Sequence, residues 1–230
     1  MERTFICVKW GDKYSADDVN SLYRMVEKNT SLPFSFMCLT DDPTNVDTMC
    51  ALLPDLPLTK WWWKLFMFKD NLFSNNVNIY FDLDVVIKGN IDGIRASDRL
   101  KIIDRSFNPK TQFWEYEPFH TSAFCYYNSS ILVWKNNTKQ FIWDKFIKRP
   151  QYYMDLYRGI DGFLAQEFDN SLFEPINENL FYFLFNQPSV DGSEYTTSID
   201  GIPASDLDRP ICIGRGSDFE VMKKYYKYFR

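Results

Sequence analysis

Val77-Asn78-Ile79-Tyr80-Phe81-Asp82-Leu83-Asp84-Val85-Val86-Ile87 is the stretch on which the reading of this chain turns. It is the most apolar strand-like run in the sequence, and two acids interrupt it. Residues i and i+2 of a strand share a face. The run is therefore predicted to be a strand over Val77–Phe81 that carries Asp82 and Asp84 on one face and continues through Val85–Ile87. Two carboxylates on a buried face cannot stay charged without a partner. At a strand end turned to solvent they become a hard oxygen-donor pair. Such a pair suits Mg²⁺ or Mn²⁺, with the remaining ligands coming from water and substrate phosphates. The plainer reading is a strand end with two solvated acids, because a lone D-x-D triplet is common.

Upstream, residues 5–9 form a short apolar run ended by Trp10-Gly11, a buried strand and its turn. Ser15 and Asp18 make a capping box ahead of Val19, Leu22, Tyr23 and Val26 at helical spacing. That helix must stop before Pro33, and residues 34–39 read as a second strand. Strand, helix and strand at this spacing make a βαβ unit with parallel strands and a right-handed crossover. Residues 61–73 read as a further helix. Downstream, 102–103, 131–134 and 211–213 are strand candidates, and 138–148 (ended by Pro150) and 159–168 are helix candidates. Ser217 and Glu220 form a second capping box that opens a terminal helix through Phe229. No repeat, low-complexity tract or linker interrupts the chain. The prediction is a single α/β domain over 1–230 with a mixed, mostly parallel sheet flanked by helices.

Composition sets limits on function. The 230 residues are 45% hydrophobic and 25% charged, which excludes disorder and collagen-like repeats. The net charge of −5 argues against a protein that coats nucleic acid, which needs a basic face. Five cysteines (Cys7, Cys38, Cys50, Cys125 and Cys212) are widely spaced, with no CxxC, and read as buried thiols in a reducing compartment. No signal peptide opens the chain and no apolar run is long enough to span a membrane. Sequons at Asn29, Asn128 and Asn136 then carry little weight. The expected location is the cytoplasm, and a compact catalytic domain without an anchor suits a bacterial or viral source.

The ordered set of segments resembles a known family. The strand before Trp10-Gly11, the strand ending Cys38-Leu39-Thr40-Asp41-Asp42, the W-W-x-K-L-x-x-F segment at 61–68 and Ile79-Tyr80-Phe81-Asp82-Leu83-Asp84 occur in that order. Together they look like a D-x-D-dependent glycosyltransferase of the GT-A fold, close to the family-8 type that includes glycogenin and bacterial galactosyltransferases. The resemblance is strongest over about 5–92, weaker over 121–170 and faint near 211–217. It implies a nucleotide-sugar-binding half over about 1–92 and an acceptor half over about 93–230. It also implies a UDP-sugar donor and a glycan, protein or lipid-linked acceptor. Asp82 and Asp84 would hold Mn²⁺ or Mg²⁺, with Asp82 also near the donor ribose. Lys64 would contact the donor and assist catalysis; otherwise it is a surface lysine beside a Trp-rich core. Lys9, Trp10, Asp41 and Asp42 would border the base and ribose, although Trp10 fits a packed core equally well. Asn128 and Ser129 stand where the family lines the donor sugar. Asp161, in an Asp-Gly that replaces the family's Asp-Gln, would lie under the anomeric carbon or touch the acceptor; as a plain helix N-terminal acid it would favour the dipole. Gly214, Arg215 and Gly216 would cradle the diphosphate.

The sequence departs from the family at the C-terminal loop, which lacks the histidine that serves as third metal ligand; Asp218 or water would take its place. The only histidine, His120, lies elsewhere and reads as an acceptor-side or structural residue. Two other functions fit parts of the sequence. Phe81-Asp82-Leu83-Asp84-Val85-Val86 also matches the haloacid dehalogenase phosphatase motif, with Asp82 as nucleophile. A glycan-binding domain that lost its reaction would keep the Trp-rich segment. Residues 221–230 alternate apolar and basic positions on helical spacing, so they could rest on an anionic membrane or form an ordinary last helix.

Overall fold

A computed structural model describes residues 2–70, 72–73, 77–104, 127–183 and 209–214. A seven-stranded sheet organises the chain. Its strands are β1 (Arg3–Lys9), β2 (Phe34–Thr40), β3 (Met49–Leu52), β4 (Val77–Phe81), β6 (Leu100–Asp104), β7 (Tyr127–Trp134) and β8 (Phe173–Pro175), in the order β3-β2-β1-β4-β7-β6-β8. The first four in that order are mutually parallel. β7 enters antiparallel to both β4 and β6, and β8 is parallel to β6. The sheet is mixed and mostly parallel, as the sequence implied. A smaller sheet joins β5 (Val85–Ile87) to β10 (Ile211–Ile213) and β9 (Phe181–Phe183).

The strands are apolar on both faces because both faces are covered. Phe5, Cys7, Ile79, Phe81, Ile131 and Val133 pack with Leu22, Met25 and Val26 of α1 (Ala16–Asn29) and with the small sheet. Ile6, Tyr80, Leu132 and Trp134 point the other way. They pack against a nine-residue 3-10 helix, Lys60–Phe68, and α2 (Gln140–Phe146), α3 (Pro150–Leu156) and α4 (Ile160–Glu167). α1 starts at the expected capping box: Ser15 Oγ accepts from the Asp18 N–H, and the Asp18 carboxylate accepts from the Ser15 N–H.

Several expectations need correction. The run through Asp82 and Asp84 is not one strand. β4 stops at Phe81, Asp82-Leu83-Asp84 turns, and β5 joins the other sheet. Both flanks are apolar because each is buried in its own sheet. The helix expected over 61–73 is the 3-10 helix ending at Phe68, where the Lys69 N–H returns to the Phe66 carbonyl at 2.9 Å. The helix expected over 138–148 is shorter, and Pro150 opens α3 at its N-terminus as well as ending the preceding segment. Cys7, Cys38 and Cys212 are buried and Cys50 is half-buried, none of them in a disulfide. Among the described residues no helix is long and apolar enough to cross a membrane. His120, Cys125, Asp218 and the 215–230 tail lie outside the described residues.

Phe163 of α4 is the hub of the aromatic side of the core. Its ring lies within 4.9–6.2 Å of the rings of Tyr153, Phe168, Phe146, Tyr157 and Trp62, and it is fully buried. Phe163→Ala is expected to lower the unfolding free energy by about 3–5 kcal/mol. Urea titration would read this as a lower midpoint at constant slope.

Candidate active site

The two acids sit on a turn whose backbone is fixed from three sides. The Asp82 N–H donates to the Ser130 carbonyl of β7 at 2.9 Å, the Val85 N–H closes the turn on the Asp82 carbonyl at 3.2 Å, and the Gly214 N–H donates to the Asp84 carbonyl at 3.1 Å. The parallel strands β1, β2 and β4 all end at this edge, and antiparallel β7 begins there. Carboxyl ends of strands in open α/β sheets are where ligands bind.

Lys64 of the 3-10 helix supplies the centre of charge. Its Nζ lies 2.6 Å from Oδ1 and 2.8 Å from Oδ2 of Asp82, and 3.5 Å from the Ser129 hydroxyl. The Tyr80 hydroxyl also donates to Asp82 Oδ1. Asp161, in the first turn of α4, accepts from the Ser129 N–H at 3.0 Å. One ammonium therefore serves three neighbouring carboxylates. Burial works to lower the Lys64 ammonium, but Asp82, Asp161 and Asp84 together hold it above its ordinary value. Burial and the Asp82 charge push the Tyr80 hydroxyl well above its usual range.

Asp84 is the poorly compensated member. It is 6% exposed, and among the described residues it accepts a hydrogen bond from the Tyr14 hydroxyl, 3.3 Å from Oδ2. Burial first and the Asp82 charge second push its carboxyl up to about 6, against the pull of Lys64 and Lys13. Lys13 approaches Tyr14, with Nζ 2.9 Å from its hydroxyl.

The residues expected at the first strand ends gather separately. Lys9 Nζ reaches the Asp42 carbonyl at 3.4 Å, and its side chain is buried. Asp41 Oδ2 accepts from the Gly11 N–H at 2.9 Å, and Gly11 has the positive φ of 64° that glycine adopts readily. The Thr44 side chain and N–H hold the Asp42 carboxyl below the usual range. Trp10 is half-buried and packed on the aromatic core. Asn128 Oδ1 is engaged by the Ser130 N–H at 3.1 Å, so β7 itself uses it where its pairing with β6 shifts register. Gly214 stands against Asp84, whereas Arg215 and Gly216 lie outside the described residues.

Sequence reading missed Tyr80, Tyr14 and Lys13. Tyr80 could have been found, because it lies two residues before Asp82 at the end of β4. Tyr14 could not, since 70 residues separate it from Asp84.

Asp82 and Asp84 suit a divalent cation. Both are hard oxygen donors, and Asp84 is a buried carboxylate whose charge is disfavoured by burial and by Asp82. Among the described residues no group of three or more His, Cys, Asp or Glu side chains could enclose a metal. Such a cation would take its remaining ligands from water and substrate phosphate.

The fold has solved counterparts. The galactosyltransferase LgtC, in complex with donor and acceptor sugar analogs, superimposes with a TM-score of 0.59 at 13% identity over 99% of this chain and 96% of its own. A second LgtC structure, of an active-site mutant, gives 0.57 at 12% identity over 98% and 96%. The glycosyltransferase GlyE of Streptococcus pneumoniae TIGR4 gives 0.57 at 12% identity, and the match covers 99% of this chain but only 62% of GlyE. No protein-family model matches the sequence, and no curated protein sequence does. The chain has the GT-A glycosyltransferase fold.

The charge imbalance has a measurable consequence. Above pH 6 the folded protein carries an ionised, buried Asp84, which the unfolded chain ionises freely at its ordinary 3.8. Asp84 therefore destabilises the fold near neutral pH, and the penalty fades as pH falls from about 6 towards 3.8, because the folded state takes up the proton first. In EDTA, Asp84→Asn is expected to raise stability near neutral pH by at most ~3 kcal/mol, with the gain shrinking through that window. Thermal unfolding across pH measures it, and a gain that does not vary with pH would contradict the assignment.

Proposed function

We propose that this protein is a metal-dependent glycosyltransferase that moves a sugar from a nucleotide-sugar, a UDP-sugar, to a hydroxyl of a glycan, protein or lipid-linked acceptor. The observation that carries the proposal is the Lys64–Asp82 ion pair next to the under-compensated Asp84, at the carboxyl edge of a GT-A sheet. Whole-length likeness to a galactosyltransferase solved with donor and acceptor analogs supports the same reading. It favours this function over the phosphatase alternative, which draws only on the local motif.

Each residue then has a task. Asp82 and Asp84 would hold Mn²⁺ or Mg²⁺, which when bound supplies charge neutralisation on the departing diphosphate. Lys64 stays charged, because its neighbours raise its pKa, and it brings a fixed positive charge to the donor. Tyr80 and Lys64 together fix the rotamer of Asp82, so that carboxylate is preorganised. Ser129 holds Asp161 through its N–H, keeping that carboxylate beside the donor sugar or the acceptor hydroxyl. Lys9, Trp10, Asp41 and Asp42 frame the nucleoside side of the crevice, and Asn128 stiffens the start of β7 that presents Ser129. Gly214, whose N–H donates to the Asp84 carbonyl, would border the diphosphate.

Thermal-shift titration with UDP, with and without Mn²⁺, tests the proposal. Ligand at 100 times its Kd adds about 2.7 kcal/mol, so a shift that needs both components is expected. Asp84→Ala is expected to fold, to lose that joint shift and to lose metal-dependent sugar transfer from a UDP-sugar panel. A shift with metal alone, or transfer that survives Asp84→Ala, would overturn the proposal.

A further inference from the structure

A cleft of ≈ 560 Å³ opens on the flank of the site, between segment 57–62 and α3, and Tyr157 and Arg158 close one end. None of the residues assigned above lines it. We propose that this cleft binds a neutral oligosaccharide stretch of the acceptor, with the Trp61 indole as its stacking platform. The identity of the ligand as a sugar rests on the glycosyl-transfer reading; the cleft itself does not.

Its shape and lining suit a sugar. Small-molecule sites commonly enclose about 300–1,000 Å³ and combine aromatic surface with a few placed polar groups. Trp61 is 44% exposed, whereas Trp62, Trp63, Trp134 and Trp143 are buried. Its ring is held in place, since Nε1–H donates to the Arg158 carbonyl at 3.1 Å. A ring already fixed loses little freedom when a ligand stacks on it. A pyranose offers C–H groups on its faces and hydroxyls around its rim, and the cleft offers the complement. Thr59, Gln151, Asp155 and Arg158 supply both donors and acceptors around the indole, with Gln151 Nε2 aligned on Asp155 Oδ1 at 2.7 Å. Lys60, Arg158 and Asp155 add charged hydrogen-bonding groups to the lining, and Lys60 Nζ itself lies over the Trp61 ring, 5.5 Å from its centroid.

One wall of the cleft, segment 57–62, runs in sequence into the 3-10 helix that carries Lys64. Trp61 precedes Lys64 by three residues on a 3-10 helix, where i and i+3 are aligned. Arg158 precedes Asp161 by three residues, so the other wall is joined in sequence to the start of α4. The walls meet closely: a Cβ on Gly159 would lie 3.0 Å from Trp61 Nε1, so the indole would have to give by a few tenths of an ångström.

Saturation-transfer NMR with maltopentaose, cellopentaose and chitopentaose tests the proposal on the whole protein. At least one is expected to bind, and to bind about tenfold more weakly to Trp61→Ala and to the double variant Gln151→Ala/Asp155→Ala. The double variant alters only the exposed face of α3, so it decides the matter if Trp61→Ala fails to fold. Its joint shift with UDP and Mn²⁺ is expected to remain that of the native protein. Absence of binding by all three sugars, or binding unchanged in the double variant, would overturn the proposal. Cleft-dependent sugar binding without any response to UDP and Mn²⁺ would uphold the cleft and remove the glycosyl-transfer reading.

Discussion

The ion pair between Lys64 and Asp82 is the interaction around which the site is built. It joins a 3-10 helix on one face of the main sheet to the turn at the end of β4, and both side chains are less than one-fifth exposed. A pair this sheltered adds little net stability, because desolvation offsets the Coulomb attraction. Its effect is on placement. Lys64 fixes Asp82, reaches the Ser129 hydroxyl, and lies in the field of Asp161. Four elements thereby present their polar groups to one point at the carboxyl edge of the sheet.

The same arrangement leaves Asp84 in deficit. Among the described residues Lys64 bonds directly to Asp82 and acts on Asp84 through its field, and Tyr14 gives Asp84 a long hydrogen bond. A carboxylate held in this way weakens the fold by itself and strengthens its hold on any cation that arrives. Sites that sacrifice stability for function commonly behave so. The break between the two sheets follows from the same geometry. Had the chain continued straight from β4, Asp84 would lie within a sheet. The turn brings it instead to the place where β10 ends and Gly214 donates to its carbonyl.

Local signals made the first half of the fold legible. The capping box at Ser15, the stop before Pro33 and the two apolar runs around them specify a βαβ unit without tertiary information. The acids at 82 and 84 were visible for a similar reason, as charges in an apolar run. Whether that run is one strand or two was not visible, because strands buried in different sheets look alike in sequence. Strands β3, β8 and β9 are three or four residues long, too short for periodicity to register. Antiparallel β7 reads like its parallel neighbours, since it too is buried on both faces. Lys64–Asp82 and Ser129–Asp161 span 18 and 32 residues, so only the folded chain brings them together. The resemblance nominated three of those four for the donor side and Asp161 beside it. The cleft at Trp61 left a fainter mark: three consecutive tryptophans do not reveal which one faces solvent.

Diffraction at the manganese absorption edge, from crystals grown with Mn²⁺ and UDP, tests the account most directly. The expected result is one anomalous peak bound by the Asp82 and Asp84 carboxylates, with diphosphate oxygens on its open side and Lys64 nearby. A manganese peak held by other residues, or UDP bound away from the carboxyl edge of β4, would contradict it.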